Sequence, residues 1–294
     1  LHHSPPALAS VATLADGLVG HSGRVDALHV APGDALAAGV APVVGLPVDD
    51  VLLWRDVLHD GPVPAGLTPA ELAEVRAAHL AARGWGRETD LLASMRERDE
   101  LLDTARRRRA DIVLWFEPDL VCALALAQVA DRLAGHSAPV WLVSVPHRAD
   151  RNLYTAWRRR RRFDPRPDAF AALRSPDPRP WAGVPAFSRL LAELPDGPSG
   201  VSRLEREILA VLRSAPRSGS ELFVAVSVKE RPPWISDRSL WAVADDLAPL
   251  VSRLADGRYA ITSAGVDVLA GRSTRADGGC PPGEGEPEPG NAGH

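Results

Sequence analysis

The chain has 294 residues, of which 45% are hydrophobic and 24% are charged, so it is a globular protein long enough for one large domain or two small ones. Its formal net charge of -4 at pH 7 gives no overall electrostatic reason to expect nucleic acid or an anionic membrane as the partner. The two cysteines, Cys122 and Cys280, have no Cys or His neighbour at zinc-ligand spacing, which predicts a cytoplasmic protein without disulfides or structural zinc.

The two ends of the sequence and its apolar runs predict neither a secretory signal nor a membrane span. Residues 1–24 have no basic segment ahead of an apolar stretch, so we predict a disordered leader there. The longest uncharged run in the strongly apolar part, Leu120 to Ala130, is far shorter than the roughly 20 residues that cross a bilayer. Residues 272–294 are rich in Gly and Pro and have little to bury, which predicts a disordered tail.

Short apolar runs bounded by turn residues predict four buried strands, at residues 25–30, 51–54, 111–116 and 140–145. Helical patterns separate these runs. Strands that alternate with helices predict a parallel sheet whose two faces are both covered. For residues 25–150 we therefore predict a small, parallel, Rossmann-like α/β domain with helices on both faces of the sheet.

Three of the predicted helices carry clear signals in the sequence. Thr68, Pro69 and Glu71 supply an N-cap, a first-turn proline and a capping box for a helix that ends near Gly84. Residues 88–109 repeat apolar side chains at helical spacing, with acids in the first turn and arginines in the last. Residues 120–134 follow a candidate N-cap at Asp119 and are apolar nearly all round, which predicts a helix buried against the sheet.

The second half of the chain predicts a connector and a small unit. Residues 151–200 are rich in Arg and Pro without a strand pattern, so we predict a helical connector. Residues 201–271 then show three helices, a hairpin with an Asp256-Gly257 turn and a closing helix, which is the order of a winged-helix-like domain. Residues 202–271 contain nine basic and nine acidic side chains, whereas DNA readers of this shape need a basic face. We therefore expect packing or homodimerisation there, and no specific DNA binding.

Several segments of the chain resemble one bacterial family. The sequence "WRDVLHDGPVPAGLT" begins at Trp54 and is followed by "RGWG", by "VLWFEPDL" and, much later, by "SRLEREIL". In order and spacing over residues 25–270, these segments resemble the family known as domain of unknown function number 1835. The resemblance implies an α/β N-terminal domain joined to a helical or winged C-terminal region, and it implies no settled activity. Gly33-Asp34 and residues 115–119 also match the family pattern, whereas "LVCALAL" after Asp119 lacks its polar character.

Polar side chains follow all four predicted strands. In an open parallel sheet, ligands bind outside the carboxyl ends of the strands, so we predict a site at this edge. Carboxylates from three strands suit Mg²⁺ or Mn²⁺, and without a cation or an arginine among them they would repel one another. The candidate residues are Arg55, Asp56 and His59 for catalysis, Gly33, Trp54, Gly61, Asp119 and His147 for substrate binding, and Asp34, Asp56 and Glu117 as metal ligands.

Each candidate also has a structural interpretation. Asp119 could serve only as an N-cap, Arg55 and Asp56 could form a local ion pair, His59 could be a turn histidine, and Trp54 could be a core residue. The arginine run at residues 106–109 is typical of a solvated helix end. The run at residues 158–162 has no acid within it, and for that run a contact with nucleic acid or phosphate stays open.

Two classes of function are compatible with these features. In the first, an enzyme binds a phosphate-bearing or nucleotide-like small molecule at the acidic edge, with Arg55 contacting anionic oxygens and His59 as acid or base. In the second, a non-catalytic ligand-sensing or DNA-binding regulator combines the α/β domain with the winged-helix-like domain. The sequence contains no P-loop, no G-x-G-x-x-G, no G-x-S-x-G and no H-E-x-x-H motif that would identify a reaction.

Overall fold

The computed structural model describes residues 27–146, 152–175, 177, 187–195, 197, 199–229 and 235–276. The predicted leader, residues 277–294 of the predicted tail and the candidate His147 therefore lie outside the described residues. The chain divides into two compact units, Leu1–Leu191 and Ala192–His294.

A five-stranded sheet lies at the centre of the first unit, with the strand order β2-β1-β3-β4-β5. The parallel strands are β1 (Leu28–Ala31), β2 (Val51–Leu53), β3 (Ile112–Phe116) and β4 (Val140–Ser144). They correspond to the four apolar runs of the sequence, and the predicted parallel α/β sheet is thereby confirmed. Because β2 and β3 lie on opposite sides of β1, the strand order reverses between β1 and β3.

The fifth strand, β5 (Arg161–Arg162), lies in the segment that the sequence predicted to be a helical connector. It pairs antiparallel with β4, at Trp141 and Leu142. Because both residues of β5 are exposed arginines, its sequence shows no alternation of apolar and polar side chains. The sequence pattern therefore does not identify this segment as a strand. Their backbone pairing with an edge strand defines β5, which makes the sheet mostly parallel.

Helices cover both faces of the sheet, as predicted. In chain order they are α1 (Asp34–Val44), α2 (Pro69–Ala82), α3 (Glu88–Arg107), α4 (Leu120–Arg132), α5 (Leu153–Arg158), α6 (Asp168–Leu173) and α7 (Ser188–Leu191). On one face, α1 and α5 enclose a core that includes Val40 and Val113. On the other face, α3 and α4 enclose a core that includes Leu102, Leu114 and Val129. α2 packs on α3, and α6 packs on α4.

The helix starts follow the local sequence signals. The Thr68 hydroxyl accepts from the backbone N–H of Glu71, whose carboxylate accepts from the backbone N–H of Thr68, so the predicted capping box is confirmed. The carboxylate of Asp119 caps α4 by accepting from the backbone N–H of Cys122 at 2.8 Å. The chain leaves α2 through Gly84 at φ +75°, a conformation that costs glycine little.

The second unit contains four described helices and one hairpin. The helices are α8 (Arg203–Leu212), α9 (Gly219–Ser227), α10 (Asp237–Asp246) and α11 (Ser263–Leu269), and the hairpin strands are β6 (Val251–Arg253) and β7 (Tyr259–Ile261). This is the predicted order of elements. Gly257 has φ +81° in the hairpin turn, and Arg217, which precedes α9, pairs antiparallel with Tyr259.

The helices in the described parts of both units were compared with the length and apolar character of a membrane-spanning helix. None of them combines the length and the apolar character that a bilayer-spanning segment requires.

Candidate ligand-binding site

Two of the candidate residues meet at the carboxyl edge of the sheet, where β1 and β2 end. Gly33 is the N-cap of α1, with an extended backbone and open space where a side chain would project, and Asp34 begins the helix. Arg55 follows β2 and forms an ion pair with Asp34. Both side chains are substantially exposed, at 47% for Arg55 and 75% for Asp34, so the surrounding water weakens this pair.

Asp56 occupies a different environment, because its side chain is buried against an arginine of α2. The Arg76 guanidinium donates to Asp56 through Nη2 at 2.8 Å and through Nε at 3.1 Å, and each of the two side chains is only 1% exposed. Arg76 also donates to the backbone carbonyls of Val57, Asp60 and Pro62. The residues after β2 are therefore held to α2 by one buried arginine that spans the whole turn.

The same turn determines the position of His59 and Gly61. Burial lowers the pKa of His59 to about 4, against an opposing effect of the Asp60 carboxylate. The carboxylate of Asp60 contacts His79 of α2 and Arg83, the C-cap of that helix, at 3.3 Å each. Gly61 has φ +85°, and a Cβ there would lie 2.2 Å from the His79 ring, so both backbone conformation and close packing require glycine.

The three proposed catalytic side chains are not brought together. Arg55 reaches Asp34, Asp56 faces Arg76, and His59 lines a groove formed with Gly61 and residues 62–65. Asp119 serves as the N-cap of α4, which supports the structural interpretation of this residue. His147 lies outside the described residues.

The predicted magnesium or manganese site is not formed. Among the residues that the structure describes, no group of three or more His, Cys, Asp or Glu side chains could hold a metal ion. Asp34, Asp56 and Glu117 therefore do not act together as ligands. The physical reason is that two different arginines neutralise the first two carboxylates, Arg55 for Asp34 and Arg76 for Asp56, so no shared cation is needed.

A polar cavity of about 140 Å³ lies behind the residues that follow β2, and we call it the WRD cavity because Trp54 and Asp56 line it. The side chains around it come from α2, α3, α4 and α6 and from the segments beside them. The remaining lining residues are Leu67, Pro69, Leu72, Ala73, Arg76, Met95, Arg98, Asp99, Gln128, Asp131, Arg132, Phe170 and Arg174.

Arg98 of α3 is the most unusual residue of this lining. Its side chain is only 6% exposed, its Nε donates to Asp99 at 3.0 Å, and its guanidinium carbon lies 4.0 Å from the ring centroid of Trp54. Nη1 of Arg98 is buried and has no hydrogen-bond partner in the described part of the chain. The Trp54 indole in turn donates to the side-chain oxygen of Gln128 at 2.8 Å, so the position of the ring is fixed from both sides.

The far wall of the WRD cavity is an ion-pair network on α3 and α4. Arg132 reaches Asp99 through Nη1 and Asp103 through Nη2, both at 2.9 Å. Burial raises the pKa of Asp131, and the nearby Arg174 and Arg132 oppose that rise. Leu67, Pro69, Asp131 and Arg174 of the lining keep some solvent exposure, whereas Trp54, Arg76 and Arg98 are buried.

Sequence reasoning identified Trp54 and Asp56 but missed the arginines and Gln128. The positions of the two buried arginines within the helical repeats could have identified them. Arg76 stands four residues from both Leu72 and Leu80, on the apolar face of α2, and Arg98 stands three residues after Met95 on the apolar face of α3. An arginine at a core position of a helix must find partners or a ligand once it is buried.

Comparisons with models of protein families, with curated proteins and with solved structures found no match to this chain. The resemblance to domain of unknown function number 1835 accordingly stays a prediction.

Proposed function

We propose that the first unit is a non-catalytic small-molecule binder that holds a phosphate or carboxylate group in the WRD cavity. The observation that carries this proposal is Arg98, a residue of the cavity lining whose buried Nη1 has no hydrogen-bond partner among the described residues. A charged donor left unsatisfied away from water costs about 1–3 kcal/mol or more. An oxyanion placed in the cavity would supply the missing acceptor.

The charges around the cavity favour an anionic group. Four arginines and three aspartates line it, so the formal sum is one positive charge. Asp56 is matched to Arg76, and Asp99 contacts both Arg98 and Arg132. Guanidinium groups also match the geometry of phosphate and carboxylate, because two parallel N–H groups can donate to two oxygens.

The size and rigidity of the cavity limit the ligand to a small one. One water needs about 10–15 Å³ of such volume, so 140 Å³ has room for roughly ten water-sized groups. Arg98 is held by Asp99 and by the Trp54 ring, and Arg132 is held by two aspartates. Groups that are already oriented lose little conformational entropy on binding, which favours affinity.

The site chemistry favours binding over catalysis. A general acid or base works best with a pKa near the operating pH, and the pKa of His59 is about 4. His59 also belongs to the lining of a different groove from Trp54 and Asp56. Asp56 is fully engaged by Arg76 and so is poorly placed to take a proton from a substrate. These features support the ligand-binding class of function that the sequence left open.

Calorimetric titration of inorganic phosphate and of oxalate into the protein, in a buffer free of both, tests the proposal. We expect saturable binding of at least one probe to the wild type. In Arg98→Met, which keeps an unbranched apolar stem against Trp54, we expect affinity to fall at least tenfold. A charged hydrogen bond contributes about 1.5–3 kcal/mol, and a tenfold change corresponds to about 1.4 kcal/mol.

The matched control is Arg96→Met, on the same helix. Arg96 is 56% exposed, pairs with Glu74 and does not line the cavity, so its removal should leave the affinity within twofold of wild type. Circular dichroism confirms that each variant is folded, and Arg98→Lys gives a second test that retains the charge. Saturable binding that is equal in wild type and Arg98→Met, or no binding of either probe, would contradict the proposal.

For the second unit we propose a winged-helix-like arrangement with a structural role. The order of three helices, a hairpin and a closing helix supports it, as does the isolated antiparallel bridge between Arg217 and Tyr259 beside the hairpin. The helix that normally reads DNA in such domains would be α10, which carries Asp237, Asp245 and Asp246. Salt-dependent binding of duplex DNA that is lost on substituting residues of α10 would refute the structural role.

A further inference from the structure

The chain has two runs of consecutive arginines, and the structure separates them. The first run ends α3, where Arg106 pairs with Asp103 and Arg107 pairs with Glu100. These pairs neutralise part of the run locally. This segment lies at a helix end, as predicted, and two of its arginines pair with acids of the same helix.

The second run, Arg158 to Arg162, has a different environment, and we call these five residues the arginine surface. All five side chains are exposed, at the end of α5, in the following turn and in β5. Among the described residues, no carboxylate forms an ion pair with any of them, and the neighbouring Asp164 is paired with Arg166. The surface thus presents five positive charges on a chain whose formal net charge is -4.

Two indole rings hold part of the arginine surface in a fixed orientation. The guanidinium of Arg160 lies 4.0 Å from the ring centroid of Trp157 and 5.4 Å from that of Trp141, and the guanidinium of Arg162 lies 5.4 Å from the Trp141 ring. Trp157 is itself stacked on the buried Trp115, at 5.5 Å between centroids. Guanidinium groups fixed in this way are preorganised to donate to phosphate oxygens.

An exposed aromatic ring lies beside the arginines. Tyr154 is 60% exposed and stands four residues before Arg158 on the same face of α5. Its hydroxyl donates to the backbone carbonyl of Pro42 at 3.3 Å, which restrains the ring while leaving it accessible. Basic side chains that follow a phosphate backbone, combined with an aromatic ring on which a base can stack, are the features of sites for single-stranded nucleic acid.

We propose that the arginine surface and Tyr154 bind single-stranded nucleic acid without sequence specificity. The proposal uses none of the residues that line the WRD cavity. Tyr154 is the only large exposed hydrophobic side chain among the described residues 152–164, whereas membrane binding relies on a broad apolar face beside the basic one. Phosphate recognition therefore fits this surface better than insertion into a bilayer does.

Fluorescence anisotropy with a labelled 20-nucleotide poly-dT strand tests the proposal on the full chain. The test variant replaces Arg158, Arg159 and Arg161 with Gln and leaves the two arginines that pack on indole rings. We expect affinity at 50 mM salt to fall at least tenfold. The slope of log K against log salt should become shallower by about 2, since each phosphate contact to a single strand contributes about 0.7.

The other arginine run supplies a matched control. Replacing Arg107, Arg108 and Arg109 with Gln removes the same charge from exposed positions, and affinity should stay within twofold of wild type. Tyr154→Ala should weaken binding of the single strand about tenfold without weakening binding of heparin, which has no bases to stack.

Four results would overturn the proposal. The first is that the oligonucleotide does not bind at 10 µM protein, and the second is that the control variant loses as much affinity as the test variant. The third is that a duplex binds as tightly as the single strand does. The fourth is that the protein binds phosphatidylserine vesicles through these arginines but does not bind the oligonucleotide.

Discussion

The Asp56–Arg76 pair gives the sharpest prediction about stability. The side chains of both residues are 1% exposed, and Arg76 connects Asp56 to the carbonyls of Val57, Asp60 and Pro62. In Asp56→Asn the guanidinium keeps its charge while its carboxylate partner is lost. Breaking a buried ion pair from one side typically costs about 3–5 kcal/mol. Because three carbonyls still accept from Arg76, we expect the lower end of that range, about 3 kcal/mol.

Urea denaturation followed by circular dichroism measures this effect. With an m-value of about 2 kcal/mol per molar urea, the midpoint of the transition of the first unit should fall by about 1.5 M. The control is Asp90→Asn, which breaks the Arg87–Asp90 pair on the surface, where the two side chains are 81% and 58% exposed. That change should cost less than about 1 kcal/mol. Midpoints that shift equally in the two variants would refute the account of the turn.

Three further predictions follow from single residues. Gly61→Ala should destabilise the protein by more than Gly66→Ala does. Both glycines have positive φ, but only at Gly61 would a Cβ collide with a neighbouring ring. The urea midpoints of the two variants measure the difference. Burial lowers the pKa of His29 from 6.5 to about 4. Between these two pH values His29 is therefore protonated in the unfolded chain and neutral in the folded one, so the folded state loses stability as the pH falls. Between pH 7.5 and 4.5 the wild type should therefore lose about 2–3 kcal/mol more stability than His29→Gln, whose oxygen can still accept from the Trp115 indole. Equal losses in the two proteins would show that His29 is not responsible. Burial raises the pKa of the Cys122 thiol, so mass spectrometry should find Cys122 unmodified by iodoacetamide at pH 8 until the protein is unfolded, and rapid native labelling would contradict its burial.

The fold of the first unit was predictable where the sequence repeats were regular. The strands at Val51–Leu53 and Ile112–Phe116 are uninterrupted apolar runs, and the capping box at Thr68 fixes the start of α2. α1 was harder to identify, because its 11 residues include Pro42, Gly39 and three valines, all of low helix propensity. Packing decides its conformation: a Cβ at Gly39 would lie 2.8 Å from a methyl group of Leu153, so the glycine permits close contact with α5.

The candidate site was predictable only in part. Of the residues singled out after β2, Trp54 and Asp56 line the WRD cavity, and their functional role stays a prediction. The three proposed metal ligands are not grouped together in the described part of the chain. Sequence order cannot show which arginine reaches which carboxylate. Arg76 lies 20 residues from Asp56 in the chain, and its ion pair forms only once α2 packs beside the turn. Long-range partners of this kind depend on tertiary structure and leave no local pattern.

The central claim is that the WRD cavity binds an oxyanion through Arg98, and a crystal of the protein soaked in arsenate, a phosphate analogue with an anomalous signal, tests it most directly. The account predicts an anomalous peak inside the cavity, within hydrogen-bond distance of Nη1 of Arg98 and close to the Trp54 ring. The same peak should be absent from crystals of Arg98→Met. Anomalous peaks confined to exposed arginines, with only water in the cavity, would contradict the claim.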